Sequence, residues 1–122
     1  MDKIELPHRH STIASTAVLQ EELNRITYFQ TVADVFRQLD DTTRIRIFWL
    51  LCHCEECVLN ISAMMRMSSP AVSHHLRSLK SSGLVVSRRE GKEVYYRAAD
   101  TEQCRLLHRT IERIMEITCP GL

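Results

Sequence analysis

Residues 57–79 constrain the fold most, because they encode two short helices separated by a well-defined break. Ser68 or Ser69 can cap the second helix, and Pro70 suits its first turn, where no backbone N–H is needed. Apolar side chains recur at helical spacing in both segments. In the first helix they are Val58, Ile61, Met64 and Met65, and in the second Val72, Leu76 and Leu79. The pattern predicts two packed helices joined by a tight turn.

The side chains on the opposite face of the second helix are short, polar or cationic. They are Ser69, Ser73, His74, Arg77 and Lys80. Such side chains suit a helix whose N-terminal half enters the major groove of DNA. Ser69, Ser73 and His74 are then expected near base edges, and Arg77 and Lys80 near phosphates. The alternative is a helical pair with a solvated face.

A hairpin follows the two helices directly. Two β-rich runs within residues 83–97 flank a turn at Glu90-Gly91-Lys92, and the tip is basic. Arg88, Arg89 and Lys92 are expected to contact phosphate or the minor groove. A helix-turn-helix followed by a basic hairpin predicts a mainly α chain with a small β-hairpin, which is a winged helix-turn-helix.

Positive charge is concentrated on this predicted DNA-binding segment. The whole chain of 122 residues carries a formal charge of +1. Residues 66–97 hold seven Lys or Arg against two Glu, a net charge of +5, whereas residues 1–65 carry −3 and residues 98–122 carry −1. This division favours a phosphate-rich partner and argues against a zinc-stabilised protein-interaction module without DNA.

The chain as a whole is predicted to form one domain over residues 16–118. A flexible arm at 1–15 precedes this domain, and a tail at 119–122 follows it. Residues 18–39 have the apolar period of a single helix. A helix over 43–52 is expected to turn Arg44 and Arg46 outward. Its predicted buried residues are Ile45, Phe48, Trp49 and Cys52.

A last helix starts at Asp100-Thr101, with an apolar seam of Cys104, Leu107, Ile111 and Ile114. The seam has the spacing of a helix that packs against another helix. We expect the first and last helices to form a homodimer interface, with packing inside one chain as the alternative.

Three motifs resemble the ArsR/SmtB family of metal-responsive winged-helix repressors. They are AVSHHLRSLKSSGLV at 71–85, RREGKEVYYR at 88–97 and DTTRIRI at 41–47. The resemblance covers about residues 30–116. It implies a homodimeric repressor that holds a double-stranded DNA operator without metal and loses affinity when metal binds.

Cys52, Cys54 and Cys57 form a C-x-C-x-x-C cluster, which suits thiophilic metals such as Zn(II), Cd(II) or Pb(II). Cys57 matches the first cysteine of a metal site that many family members carry, but Leu59 stands where its usual partner would be. The resemblance also implies ligands from the N-terminal arm of the other subunit.

The metal ligands predicted on this basis are His8, His10, Cys54 and Cys57. Cys52 can be a ligand or a core residue, and As(III) ranks below Zn(II) and Cd(II). A second family site, on the last helix, maps to Asp100, Glu102, Arg113 and Glu116. It lacks both of its histidines, so we expect it to be absent or altered.

A thiol redox switch at Cys52, Cys54 and Cys57 is the principal alternative to metal sensing. No enzyme motif is visible, so catalysis is not expected. Neither a signal peptide nor an apolar run long enough for a bilayer appears. The chain is therefore expected to act in the cytoplasm with reduced thiols and without a membrane partner.

Overall fold

A computed structural model describes residues 5–8, 15–119 and 121 of the chain. Six helices and three strands occur in these residues. In chain order they are α1 (Thr16–Leu23), α2 (Ile26–Gln38), α3 (Thr42–His53), β1 (Glu56–Cys57), α4 (Val58–Met65), α5 (Ser69–Ser81), β2 (Val85–Glu90), β3 (Glu93–Ala98) and α6 (Glu102–Thr118). These elements confirm the winged helix-turn-helix.

The chain divides into two compact units, Met1–Asp34 and Val35–Leu122. The first unit holds α1 and most of α2. The single helix predicted over 18–39 is wrong, because α1 ends before Asn24. The N–H groups of Asn24 and Arg25 bond back to carbonyls only three residues earlier, at 3.2 and 3.0 Å. This tighter hydrogen bonding closes α1, and a new helix starts at Ile26.

The core of the second unit is built around α3. Asp41 caps this helix, since its side chain accepts a 2.9 Å hydrogen bond from the Arg44 N–H. That bond is the main reason why the pKa of the Asp41 carboxyl is lowered. The buried residues of α3 are Ile47, Phe48 and Leu51. Of the predicted set only Phe48 is fully buried, whereas Ile45 and Cys52 are half-buried and Trp49 is 36% exposed.

Arg44 does not face outward as predicted. Its guanidinium donates to the carbonyl oxygens of Gln38 at 2.9 Å and Arg37 at 3.2 Å, and to the Asp40 carboxylate at 2.7 Å. Carbonyls at a helix C-terminus lack partners within the helix and carry partial negative charge. Arg44 therefore ties the end of α2 to the start of α3.

The predicted helix pair is α4 and α5. Met67 N–H bonds to the Ser62 carbonyl at 3.0 Å across a left-handed Arg66, whose φ is 55°. This Schellman-type closure ends α4. Ser68 caps α5 by accepting from the Ala71 N–H at 3.3 Å. Val72, Leu76 and Leu79 are buried as predicted, whereas Met64 of α4 is exposed.

The wing is larger than the predicted hairpin. β2 and β3 pair in antiparallel fashion across a turn where Gly91 has φ 61°, a region that favours glycine. A third strand, β1, pairs with β3 so that Cys57 lies opposite Tyr95. The strand order is β1-β3-β2. The segment carrying Cys57 is therefore part of the wing sheet.

The last helix, α6, is capped by Thr101, whose hydroxyl accepts from the Cys104 N–H at 3.1 Å. Cys104 and Leu107 are buried and Ile111 packs partly against the core, but Ile114 is 54% exposed. The predicted seam is therefore covered only in its first half. None of the helices in the described ranges is both long and apolar enough to cross a membrane.

Candidate nucleic-acid interface and ligand cluster

The exposed face of α5 presents His74, Arg77 and Lys80, while Ser69 and Ser73 are half-buried. The buried stripe on the other side fixes the rotation of the helix, because turning it would expose three apolar side chains. The Ser69 hydroxyl shares a 3.2 Å hydrogen bond with the Ser62 hydroxyl of α4. Ser69 therefore also joins the two helices, so its hydroxyl is partly engaged within the protein.

The wing cations differ in how far they are neutralised. Arg88 contacts Glu55 at 2.6 Å and Glu90 at 2.7 Å and lies over the Tyr95 ring. These hydrogen bonds raise the pKa of Arg88 and lower that of Glu55. Arg89 and Lys92 are exposed, and the described residues include no ion-pair partner for either.

Lys80 joins α5 to the wing, since its ammonium donates to the Ser87 hydroxyl at 2.7 Å. The same charge can still face a phosphate, because an ammonium group has three donor hydrogens. α5 and β2 are thus held together at the surface where the positive charge is concentrated.

The predicted thiol ligands lie at the junction of α3, β1 and α4. Cys54 is the C-cap residue that follows α3, and its thiol donates to the Leu50 carbonyl at 3.5 Å. Burial and the neighbouring Glu56 raise the pKa of the Cys54 thiol. Cys57 is buried on β1. His8 lies in the first unit, and His10 lies outside the described residues.

Cys52 is half-buried against the core. Burial, reinforced by Cys104 and Glu112, raises the pKa of its thiol to about 11. The thiolate is the reactive form towards oxidants and metals. Cys52 is therefore mostly protonated at neutral pH, which favours a packing role.

A group of three possible ligands was missed by the sequence reasoning. In the described part of the chain, side chains that could share a metal ion come together at His53, His108 and Glu112. Their ligand atoms lie within 4.8 Å of one another. The available signal was the i, i+4 spacing of His108 and Glu112 on one face of α6. Nothing local in the sequence shows that His53 joins them.

The comparisons with known proteins agree with the motifs and the fold. A family model for bacterial regulatory proteins of the arsR family matches residues 41–87. The transcriptional repressor SmtB homolog of Synechocystis is 37% identical over 98 residues, which cover 80% of this chain and 74% of the relative.

The chain belongs to the arsR family. It is accordingly a DNA-binding transcriptional regulator. A CadC homolog of Staphylococcus aureus, described as a cadmium resistance regulatory protein, is 36% identical over 74% of this chain and 75% of the relative.

Among solved structures, one similar to this arsR-family chain is the homodimeric winged helix-turn-helix domain of Mb0332 from Mycobacterium bovis. The TM-score is 0.70 at 31% identity, and the match covers 80% of this chain and 90% of the other.

Three of the four positions that correspond to the family's last-helix site form ion pairs in this arsR-family chain. Asp100 contacts Arg105 at 2.7 Å, and Arg113 contacts Glu116 at 2.9 Å. Glu102 is exposed in the first turn of α6. That the family's last-helix site is absent or altered here stays a prediction, which rests on the two histidines that the sequence lacks at these positions.

Replacing Glu55 with Gln is expected to raise DNA affinity about 3-fold, because the carboxylate competes with phosphate for Arg88. The pKa of Glu55 is lowered, so the pair is present at neutral pH and is lost as the pH falls through that lowered value. Fluorescence anisotropy with labelled duplex DNA at several salt concentrations measures the change. Glu93→Gln is the matched control, since it removes an equal charge on β3. A gain equal to that of the control would mean that Arg88 does not contact DNA.

Proposed function

We propose that this arsR-family regulator is a homodimeric repressor that leaves its double-stranded DNA operator when a thiophilic metal binds. The observation that carries the DNA part is the +5 segment at 66–97, whose cations Arg77, Arg89 and Lys92 are exposed on α5 and the wing. In this assignment Ser69, Ser73 and His74 meet base edges. The phosphate contacts come from Arg77, Lys80, Arg88, Arg89 and Lys92.

Dimerisation is supported by apolar surface that a single chain leaves exposed. On α6 the residues concerned are Leu106, Ile114, Met115 and Ile117, and in the first unit they include Leu23, Ile26 and Phe29. Large apolar patches are uncommon on monomers and mark interaction sites. The homodimeric Mb0332 domain supports the same assembly. A two-fold dimer presents two recognition helices to a palindromic operator.

We assign the release of DNA to a metal site formed by Cys54 and Cys57. His8 and His10, from the arm of the partner subunit, complete this site. The relatives named for cadmium resistance support a metal effector. Zn(II), Cd(II) and Pb(II) are candidates because thiolates bind such thiophilic ions. Cys57 pairs with Tyr95 across β1 and β3, and Glu55 contacts the wing arginine Arg88. A metal bound at Cys57 would therefore displace β1 and, through its pairing with β3, the wing. The difference in metal affinity between the DNA-bound and the displaced arrangement of the wing sets how strongly metal binding lowers DNA affinity.

A thiol redox switch has less support than metal binding. The relatives named for cadmium resistance favour a metal effector. Burial raises the pKa values of Cys52 and Cys54, and this lowers the thiolate fraction that can attack peroxide or bind a metal, so it does not separate the two hypotheses. We assign the regulator to the cytoplasm, where its DNA target lies and thiols stay reduced, and we give it no catalytic role.

Duplexes selected by the full-length protein from a random pool provide the DNA for a direct test. The logarithm of affinity should fall with the logarithm of salt with a slope of about −4 or steeper, because each phosphate contact contributes about −0.9. Cd(II) should then lower affinity about 10- to 100-fold. Absence of salt-dependent binding would refute the DNA assignment. Salt-dependent binding that Cd(II) and Zn(II) leave unchanged would refute only the effector.

A further inference from the structure

Three side chains from two helices converge on one point at the surface of the second unit. The Nε2 atoms of His53 and His108 are 3.0 Å apart. Glu112 Oε1 lies 2.8 Å from His108 Nε2 and 3.3 Å from His53 Nε2. His53 is the last residue of α3, and the other two share one face of α6. All three edges of this triangle are therefore within hydrogen-bond distance.

With an ionised carboxylate, hydrogen bonds cannot satisfy all three edges of this triangle at once. A ring nitrogen either carries one hydrogen and donates, or has one lone pair and accepts. If both Nε2 atoms donate to Glu112, the two N–H groups face each other at 3.0 Å. If His53 Nε2 instead accepts a hydrogen bond from His108, the lone pair of His53 Nε2 also faces the carboxylate oxygen of Glu112, with no hydrogen between them. A cation at the centre accepts lone pairs from all three atoms at once.

The dimensions and the atom types match a small divalent cation. Tetrahedral Zn(II) with ligands at 2.0–2.1 Å has ligand–ligand edges of about 3.3 Å, so the observed triangle needs only slight expansion. Two imidazoles and one carboxylate are ligands that Zn(II) and Co(II) accept readily, and three protein ligands leave a fourth position open.

The surroundings hold the ligands in place and leave them accessible. The Trp49 ring lies against the His53 ring, with 4.4 Å between centroids, and restricts its rotation. His53 and His108 also line a cleft of about 520 Å³. The side chains of His53 and Glu112 remain more than two-fifths exposed. An ion can therefore reach the triangle without opening the core.

We propose that His53, His108 and Glu112 bind a divalent cation of the Zn(II) class, with a ligand set that includes neither Cys54 nor Cys57. The site uses no thiolate, and its ligands all come from one chain. The bound ion cross-links the C-terminal end of α3 to the middle of α6. This inference does not depend on the proposed release of DNA by metal.

Co(II) titration of the full-length protein tests the site through Trp49, the single tryptophan of the chain. Co(II) at the triangle should quench its fluorescence, since the ring contacts a ligand. The titration is performed in a Cys57→Ser background, so that the thiolate ligand set is disrupted. Quenching should persist there, and Zn(II) should reverse it by competition.

Glu112→Gln and His108→Ala should each weaken the Co(II) affinity obtained from quenching about 10-fold or more. Glu116→Gln is the matched control, because it removes the same charge one turn further along α6 and should leave that affinity within about 2-fold. Circular dichroism verifies that each variant is folded.

Two results would overturn the proposal. One is a Cys57→Ser protein whose Trp49 fluorescence does not respond to Co(II). The other is equal loss in Glu112→Gln and Glu116→Gln, which would indicate that general surface charge, or the last-helix positions, bind the ion. Neither result bears on DNA binding or on its release by Cd(II), which are measured separately.

Discussion

An Arg77→Ala protein is expected to bind its operator about 60-fold more weakly at 0.1 M salt than the unaltered protein, because each lost phosphate contact removes a factor of about 8 and a dimer loses two. The slope of log affinity against log salt should become shallower by about 1.8 for the same reason. Arg77 is exposed on α5, opposite the buried stripe that fixes the helix orientation. Anisotropy titrations with labelled operator, from 50 to 300 mM salt, measure both quantities.

Arg109→Ala is the matched control for this experiment. Arg109 is also an exposed helical arginine, but it lies on α6, outside the positive segment. Its replacement should change the salt slope by less than about 0.5. His74→Ala should retain the salt slope and lose discrimination between operator and random DNA, as expected for contact with a base edge. An unchanged slope in Arg77→Ala would remove this face of α5 from the interface.

Cys57→Ser is expected to abolish the release of DNA by Cd(II). It removes a thiolate at the position that matches the family's metal site, and serine is a poor ligand for a soft ion. Affinity for Cd(II), followed by sulfur-to-metal charge-transfer absorption, should fall about 100-fold or more. DNA binding without metal should remain, because serine is close in size to cysteine and the pairing of β1 with β3 uses backbone groups.

Cys119→Ser serves as the control, since Cys119 is exposed beyond the end of α6. It should leave both Cd(II) affinity and DNA release unchanged. Deletion of residues 1–12 should reduce Cd(II) affinity less than Cys57→Ser does but should still abolish release, if the arm links the metal to the partner subunit. Release of DNA from Cys57→Ser at the Cd(II) concentration that suffices for the unaltered protein would move the effector site elsewhere. The triangle of His53, His108 and Glu112 would then be tested first.

Local patterns predicted the DNA-binding half of the molecule well. The stripe of Val72, Leu76 and Leu79 determines which side of α5 is buried, and Ser68 with Pro70 defines where the helix begins. The two β-rich runs and the turn around Gly91 likewise defined the hairpin. These signals succeed because helix period, capping and turn geometry depend on residues only a few positions apart.

Predictions were weaker where a residue's environment depends on distant parts of the chain. Arg44 has the appearance of a surface cation, yet it binds the carbonyls at the end of α2. Trp49 has the apolar character of a core residue, yet Ile47 and Leu51 are more deeply buried. In a short amphipathic helix several rotations bury comparable apolar area, and the neighbouring elements select one of them.

Residue order and local patterning were enough to predict the winged helix, the position of α5 and the concentration of positive charge on α5 and the wing. The folded chain was needed to place Cys57 in the wing sheet and to bring His53 against His108 and Glu112. The strand partners Cys57 and Tyr95 are distant in sequence, and 59 residues separate His53 from Glu112. Such meetings arise when packing against a shared core brings separate elements together, and no local period or cap encodes them.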